Sequence, residues 1–196
     1  MSIFKRKYEF KPDRPRGAGL IHRLYITKRQ RLAIARWLLM TLVLVVLSVV
    51  QDTILSRVRI FGATTDLVVC AILLATVMLD PEEGCLFSLI SATLYWFSGS
   101  APGAYVIALI TCPGVLLSIF RHSYLRQGFS STLLCTAVGM LFYELAVFAM
   151  GLFLGYTTTA RMYLFCVTGG LSLVVVPVLY PLFSSIGKIG GESWKE

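Results

Sequence analysis

Residues 38–69 read LLMTLVLVVLSVVQDTILSRVRIFGATTDLVV, and this stretch decides the fold. Its first part carries no charge and belongs to an apolar run long enough for a membrane helix, since a hydrocarbon core of roughly 30 Å needs about 20 apolar residues. A second apolar run begins at Leu67. The polar residues between the two runs are Gln51, Asp52, Arg57, Arg59 and Asp66. The pattern predicts two membrane helices joined by a polar bend.

The composition extends this prediction to the whole chain. Of its 196 residues, 57% are hydrophobic and 14% are charged, and the mean hydropathy is +0.77. A soluble domain carries about 25% charged residues. The sequence therefore predicts an integral membrane protein. The charged lead before the first apolar run is too long for a secretory signal, so we expect the first helix to be retained.

Six membrane helices are predicted, at residues 37–56, 65–79, 81–97, 102–120, 130–154 and 160–183. Asp80 is placed to cap the third helix, with Pro81 at its first position and Glu83 as the acid of a capping box. Pro113 predicts a bend in the fourth helix. The predicted domains are a basic cytoplasmic tail (1–36), a six-helix membrane domain (37–185) and a cytoplasmic C-terminal tail (186–196).

Cationic side chains predict the orientation. Eleven of the eighteen Lys and Arg precede the first helix, two (Arg121 and Arg126) lie between the fourth and fifth, and two follow the sixth. The remaining three lie on the opposite side. Because Lys and Arg collect on the cytoplasmic side of a bilayer, both termini are predicted to be cytoplasmic and the polar bend to face outward.

The basic tail leaves three interpretations open. Nucleic acid is the least favoured partner, because the tail lacks a recognisable binding motif and the length of a folded domain. A topology signal that also attracts anionic lipid is favoured. The third alternative is a short interfacial helix that also contacts a cytoplasmic protein, with an apolar face of Leu20, Ile21, Leu24 and Tyr25. The predicted lipid-surface cations are Lys28, Arg29, Arg31 and Arg36.

Glu144 is the one charge near the middle of a predicted helix. A carboxylate there costs on the order of 2.5–3.5 kcal/mol on insertion, so it should not face lipid. Steps of seven residues give a stripe of Ser130, Ala137, Glu144 and Gly151, followed by Gly155. Such stripes let another helix approach closely, which predicts a partner-binding surface. The alternatives for Glu144 are a ligand or proton-relay group, or a carboxyl that burial keeps neutral and that hydrogen-bonds a neighbouring helix of the same chain.

The polar bend also has two interpretations. Asp66 opens the second helix, where a carboxylate is favoured by capping and by the helix dipole. Arg57 or Arg59 is placed to pair with an acid across the bend. These are features that any helix end at a membrane surface requires. The alternative makes Asp52, Arg57 and Asp66 a second partner-binding surface.

No catalytic constellation is predicted. His22 and His122 have no Ser, Cys or acid at the spacing of a triad or dyad, and no Walker loop, HExxH or dinucleotide fingerprint is present. The five cysteines fall within predicted helices, with no CxxC pair and no His at ligand spacing, which predicts packing residues. We therefore expect neither an enzyme nor a metal or cofactor site.

Four short motifs follow one another along the predicted helices, namely Gly62, Asp66-Leu67, Glu83-Gly84 and Pro102-Gly103. Their order resembles the MreD family of bacterial rod-shape-determining membrane proteins, over roughly residues 37–185. The third helix, SLISATLYWFSG, lacks the further glycines and the Asp of that family, and Thr65 stands where its proline would be.

The resemblance implies a six-helix bundle similar in architecture to the substrate-binding subunits of energy-coupling-factor vitamin transporters, located in the bacterial cytoplasmic membrane. It also implies a non-enzymatic scaffold of the cell-elongation complex, which binds the single-span protein MreC and works with MreB, RodA and its transpeptidase in cell shape and peptidoglycan synthesis. MreC is expected to dock on the fifth helix, at Ala137, Glu144, Gly151 and Gly155.

A transporter subunit of the same architecture is the alternative function. Glu144 would then face a cavity for a vitamin-type ligand, and Ala71-xxx-Ala75 resembles the surface by which such subunits meet their coupling protein. Against this alternative, the predicted outer loops are short and lack the aromatic and polar residues that a captured vitamin would need.

Overall fold

The computed structural model describes residues 28–58, 62–126 and 128–189, with side chains from Arg31 onward. Within this part of the chain the protein is all-α, with seven α-helices. Single turns of 3₁₀ helix at Leu55–Arg57 and Thr159–Arg161 lie between them. The α-helices are α1 (Lys28–Thr53), α2 (Leu67–Met78), α3 (Pro81–Phe97), α4 (Tyr105–Tyr124), α5 (Phe129–Phe153), α6 (Met162–Leu173) and α7 (Val176–Gly187).

Several of these helices are long and apolar enough to cross a membrane. Three described helices meet that requirement, namely α1, α4 and α5, and the pair α6 and α7 would supply a fourth crossing if it acts as one bent span. The structure therefore indicates a multi-pass membrane protein. Helices occur at all six predicted positions, but α2 has only 12 residues and α3 has 17.

The centre of the fold is α2. Every one of its residues is buried, and it contacts each of the other six α-helices. Its sequence, LVVCAILLATVM, contains no charge and has no polar face, as expected of a helix that is enclosed on all sides. The other helices surround it, and contacts link α1 to α3, α3 to α4, α4 to α5, α5 to α6, and α7 back to α1.

The surrounding helices are apolar on both faces. On α1, Met40 and Leu44 are buried against the core, whereas Leu38, Leu42 and Val46 are exposed. Exposed large apolar side chains on a helix of this length are those that contact lipid chains when the helix lies in a bilayer.

Close packing between α2, α3 and α4 depends on two glycines. A Cβ atom added at Gly84 would lie 2.8 Å from the main-chain oxygen of Thr76, and one added at Gly114 would lie 3.2 Å from the Thr76 methyl group. Small residues at helix contacts let the backbones approach in this way. Gly84 thus fixes the distance between α2 and α3.

The predicted capping box of α3 is wrong. Pro81 opens the helix as expected, but the Asp80 side chain makes no capping hydrogen bond and lies 3.6 Å from His122 Nε2. Glu83 does not reach back to the helix start, because its carboxylate accepts a hydrogen bond from Arg36 of α1.

Arg36 itself differs from its predicted role as a lipid-surface cation. Its side chain is buried in the bundle and forms the ion pair with Glu83. α1 begins at Lys28, nine residues before the predicted first span, so Arg36 lies inside the helix rather than in a tail. Arg31 is exposed as predicted, and for Lys28 and Arg29 only the backbone is described.

The last predicted span is two helices with a bend of 48° between them. Pro177 lies in the first turn of α7, and α6 ends at Leu173, four residues earlier. Proline has no N–H to donate to the carbonyl four residues before it, and its ring clashes with that carbonyl, so the helix breaks there. In contrast, α4 continues through Pro113 as one helix.

We predict that Gly84→Ala destabilises the protein by about 1–3 kcal/mol, because the new methyl group meets a main-chain oxygen that cannot rotate away. Gly170→Ala is the matched control, since a Cβ atom there meets nothing within 4 Å and alanine favours a helix. Thermal unfolding of both variants in detergent provides the measurement. A Gly84→Ala variant that melts at or above the wild-type temperature contradicts the assigned packing.

Candidate functional site

A cluster of hydrogen bonds surrounds the start of α2. The Asp66 amide donates to Ser172 Oγ at 2.8 Å, and Asp66 Oδ1 lies 3.4 Å from Gln51 Nε2 and 3.5 Å from the Tyr95 hydroxyl. Gln51 Oε1 accepts the Val68 amide at 2.7 Å. These contacts join α1, α3 and α6 to the N-terminal end of α2, which we call the Asp66 end of the bundle.

The capping hydrogen bond at the start of α2 comes from Gln51 and not from Asp66, the residue that the sequence predicts. Asp66 occupies the N-cap position, but its side chain makes no capping hydrogen bond. The amide oxygen of Gln51, from another helix, satisfies the Val68 amide instead. A helix start leaves up to four amides without partners, and inside a protein another side chain must supply the acceptor. Gln51, at this end of α1, thus supplies a hydrogen-bond acceptor to the first turn of α2.

At the other end of α2, side chains of α4 perform the corresponding task. Ser118 Oγ donates to the Leu79 carbonyl at 3.1 Å, and Arg121 Nη1 donates to the Val77 carbonyl at 2.8 Å. Both side chains are buried. A guanidinium is favoured at a helix C-terminus by the helix dipole. Arg121 is predicted in the loop that directly follows the fourth helix, but α4 continues to Tyr124 and includes it in its last turn.

A cavity of about 580 Å³ lies over the Asp66 end of α2. Its wall comes from α1, α3, α4, α5, α6 and the connecting residues 62–66, 100–102 and 156–161. Asp66 and Glu144 both line it. The aromatic residues of the wall are Tyr95, Tyr105, Tyr143, Tyr156 and Phe165. The sequence predicted no such aromatic lining because these residues come from separate helices, and periodicity does not show that they converge.

Glu144 is enclosed at the inner side of this cavity. The residue is 4% exposed, and a Cβ atom added at Gly169 of α6 would lie 3.4 Å from its Cγ. Its Oε1 atom is buried and has no hydrogen-bond partner among the described residues. The alternative of a hydrogen bond between this carboxyl and a neighbouring helix therefore gains no support at Oε1. An unpartnered buried polar atom costs about 1–3 kcal/mol, so a ligand or water at this position would be favoured.

The predicted stripe on the fifth helix is not one exposed surface. Glu144 is buried, Ala137 and Gly151 are half-buried, and Gly155 lies beyond the end of α5. Gly155 has φ of +75°, a conformation that other residues adopt at a cost. The Gly155 amide donates to Leu152 O and the Tyr156 amide to Gly151 O, which is the Schellman arrangement of a helix C-terminus. The GLFLG spacing therefore marks the end of a helix, and Gly151 and Gly155 do not lie on one continuous helix face.

The polar bend contains exposed charges but no ion pair in the part that the structure describes. Asp52 is exposed and accepts a hydrogen bond from Ser100 at 2.9 Å. Arg57 is exposed in its 3₁₀ turn and pairs with no described acid. Arg59 lies outside the described residues, as does the predicted interfacial helix of the tail.

A second concavity, of about 410 Å³, lies between α1 and α3 and is closed at its base by α2. We call it the lateral groove. Its wall is mainly apolar, with a minority of small hydroxyl side chains. The small or polar residues that line it are Thr41, Ser48, Ser91, Ser98 and Asp52.

Metal-binding chemistry receives no support from the described residues, where no three His, Cys, Asp or Glu residues are grouped. All five cysteines are free; Cys70 and Cys135 are buried, and the other three are exposed.

No family model, curated protein or solved structure matches the chain.

We predict that Gln51→Ala lowers the free energy of unfolding by about 1–3 kcal/mol, because the Val68 amide loses its acceptor inside the protein. Asp52→Ala, one residue later, removes an exposed carboxylate and should change stability by no more than about 0.5 kcal/mol. Thermal unfolding in detergent compares the two. Equal effects of both substitutions would show that the Gln51 hydrogen bond does not hold α2.

Proposed function

We propose that this chain is a non-enzymatic membrane scaffold of the MreD type. It binds the single-span protein MreC and, with RodA, its transpeptidase and MreB, supports cell shape and peptidoglycan synthesis. In this proposal the protein is a multi-pass protein of the bacterial cytoplasmic membrane with both termini cytoplasmic. The bent pair α6–α7 counts as the last of six spans, and the architecture is similar to that of energy-coupling-factor substrate-binding subunits.

The lateral groove is the observation that carries the proposal. It follows α1 from Thr41 to Asp52, which is about 16 Å of helix. Within a bilayer a partner that spans the membrane must itself be a helix or a closed barrel. Small hydroxyl residues in the wall, such as Ser48 and Ser91, let a helix backbone approach closely and offer it hydrogen bonds. A single apolar helix is the occupant that fits this length and chemistry.

The residues that carry the MreD resemblance hold the fold together, which supports a shared architecture. Gly62 has φ of +81°, and Asp66 joins three helices through its hydrogen bonds. Glu83 pairs with Arg36, and Gly84 packs on Thr76. These residues organise the bundle rather than present a surface. The partner surface is therefore assigned to the lateral groove and not to the fifth helix.

We predict that Ser48→Leu reduces co-purification of MreC at least about tenfold, because the larger side chain fills the groove where the partner helix packs. Ala149→Leu is the matched control, since this residue is exposed on α5, away from the groove. Both proteins are expressed with tagged MreC, extracted in mild detergent and compared after affinity purification.

Two outcomes would contradict parts of this proposal. If the Ser48→Leu protein retains MreC and the Ala149→Leu protein loses it, the docking surface lies on α5 and not in the lateral groove. Failure of the wild-type protein to retain MreC would contradict the proposed function itself. Thermal unfolding of both variants controls for loss of the fold, and each should melt within a few degrees of the wild type.

The transporter alternative loses one of its supports. Ala71 and Ala75 are fully buried within α2, so they form no surface for a coupling protein. The cavity at the Asp66 end is the remaining observation in its favour. A bound ligand alone does not make a transporter subunit, because coupling requires an exposed contact with the energising protein.

A further inference from the structure

We propose that the cavity at the Asp66 end binds a small organic ammonium compound, with its cationic group placed among Glu144, Asp66 and the aromatic rings of the wall. This inference goes beyond the scaffold role and does not depend on MreC.

The first support is the size and position of the cavity. Its volume of about 580 Å³ falls within the range of roughly 300–1,000 Å³ that small-molecule sites occupy. It lies at the N-terminal end of α2, on the side where α5 continues to Phe153 and α6 begins at Met162. Such a space between helices of a bundle is a common place for a ligand.

The second support is a set of buried polar atoms without partners. Glu144 is more than nine-tenths buried, and its Oε1 atom has no hydrogen bond among the described residues. The hydroxyls of Thr65 and Thr157 are also buried without a partner, and both residues line the same cavity. Buried polar atoms are nearly always hydrogen-bonded in native proteins. Three exceptions around one cavity indicate that a molecule supplies the missing partners.

The third support is the sign of the charge. Asp66 and Glu144 are the two acids of the lining, and among the described lining residues Arg161 is the only cation. The Arg161 residue is exposed, whereas Glu144 is buried. A positive group beside the buried carboxyl therefore complements the cavity. Electrostatic attraction is stronger there than in water because the surroundings are of low dielectric constant.

The aromatic lining favours an organic ammonium group over a metal ion as the ligand. Four tyrosines and one phenylalanine line the cavity, as given above. Faces of aromatic rings attract ammonium groups, and cages of such rings are known to bind quaternary ammonium ligands. A metal ion would instead need several oxygen, nitrogen or sulfur ligands, and no group of three such acidic, His or Cys residues occurs in the described chain.

Choline and its uncharged isostere 3,3-dimethyl-1-butanol test the proposal. Both have the same shape, and only choline carries the positive charge. We expect choline at about 10 mM to raise the melting temperature of the purified full-length protein by about 3 °C, and the alcohol to have no effect. Isothermal titration of choline provides the dissociation constant.

Three variants locate the site. Glu144→Gln should weaken choline binding at least about tenfold, because the amide has nearly the same shape as the carboxyl but cannot carry the negative charge that pairs with the ammonium group. Tyr156→Leu, at an exposed aromatic residue of the wall, should weaken it about threefold or more. Glu82→Gln is the matched control and should bind choline as the wild type does, since Glu82 is exposed on α3 and outside the cavity.

Several results would overturn the proposal. Equal stabilisation by choline and by the alcohol would show that charge is not recognised. No response to choline, or unchanged choline binding by both Glu144→Gln and Tyr156→Leu, would show that the cavity is not the site. The choline experiment contains no MreC, so a negative result there does not contradict the scaffold proposal. In the same way, a negative result of the MreC experiment does not contradict the ligand site.

Discussion

The fold depends on a central helix that is too short to cross a membrane. With 12 residues, α2 is about 18 Å long, whereas a hydrocarbon core is roughly 30 Å thick. Its end groups therefore cannot all reach water, and unsatisfied main-chain groups are expensive in an apolar medium. Gln51 satisfies one end, and Ser118 and Arg121 satisfy the other. These three polar side chains of an otherwise apolar chain lie where the main chain of α2 lacks hydrogen-bond partners within its own helix.

The same short helix produces the cavity. Glu144 packs beside α6 near the level where α2 begins, and α5 continues from there to Phe153, a further nine residues or about 13 Å. Beyond Asp66, α5 and α6 continue without the central helix to pack on, so side chains and connecting segments only partly fill the space. The cavity thus follows from the short length of α2, and the buried Glu144 lies beside the space that α2 does not fill.

Apolar runs predicted where the helices lie, and the structure has helices at every predicted position. They could not predict which face of a helix points inward, because α1 and α5 are apolar on the lipid side and on the core side alike. Counting Lys and Arg in the segments outside the predicted helices places Arg36 and Arg121 at the membrane surface. In the structure both side chains are buried against other helices. The spacing of Gly151 and Gly155 gave no sign that α5 ends between them, since the left-handed turn at Gly155 is a backbone property.

The lateral groove and the cavity have Tyr95 in common, which lines both. The Tyr95 hydroxyl lies 3.5 Å from Asp66 Oδ1, so this side chain links the groove to an acid of the cavity. A docked helix and a bound ammonium compound, as proposed, would both contact this one side chain. Any position of Tyr95 that favours one occupant then changes the affinity for the other, and by thermodynamic linkage the effect is equal in both directions.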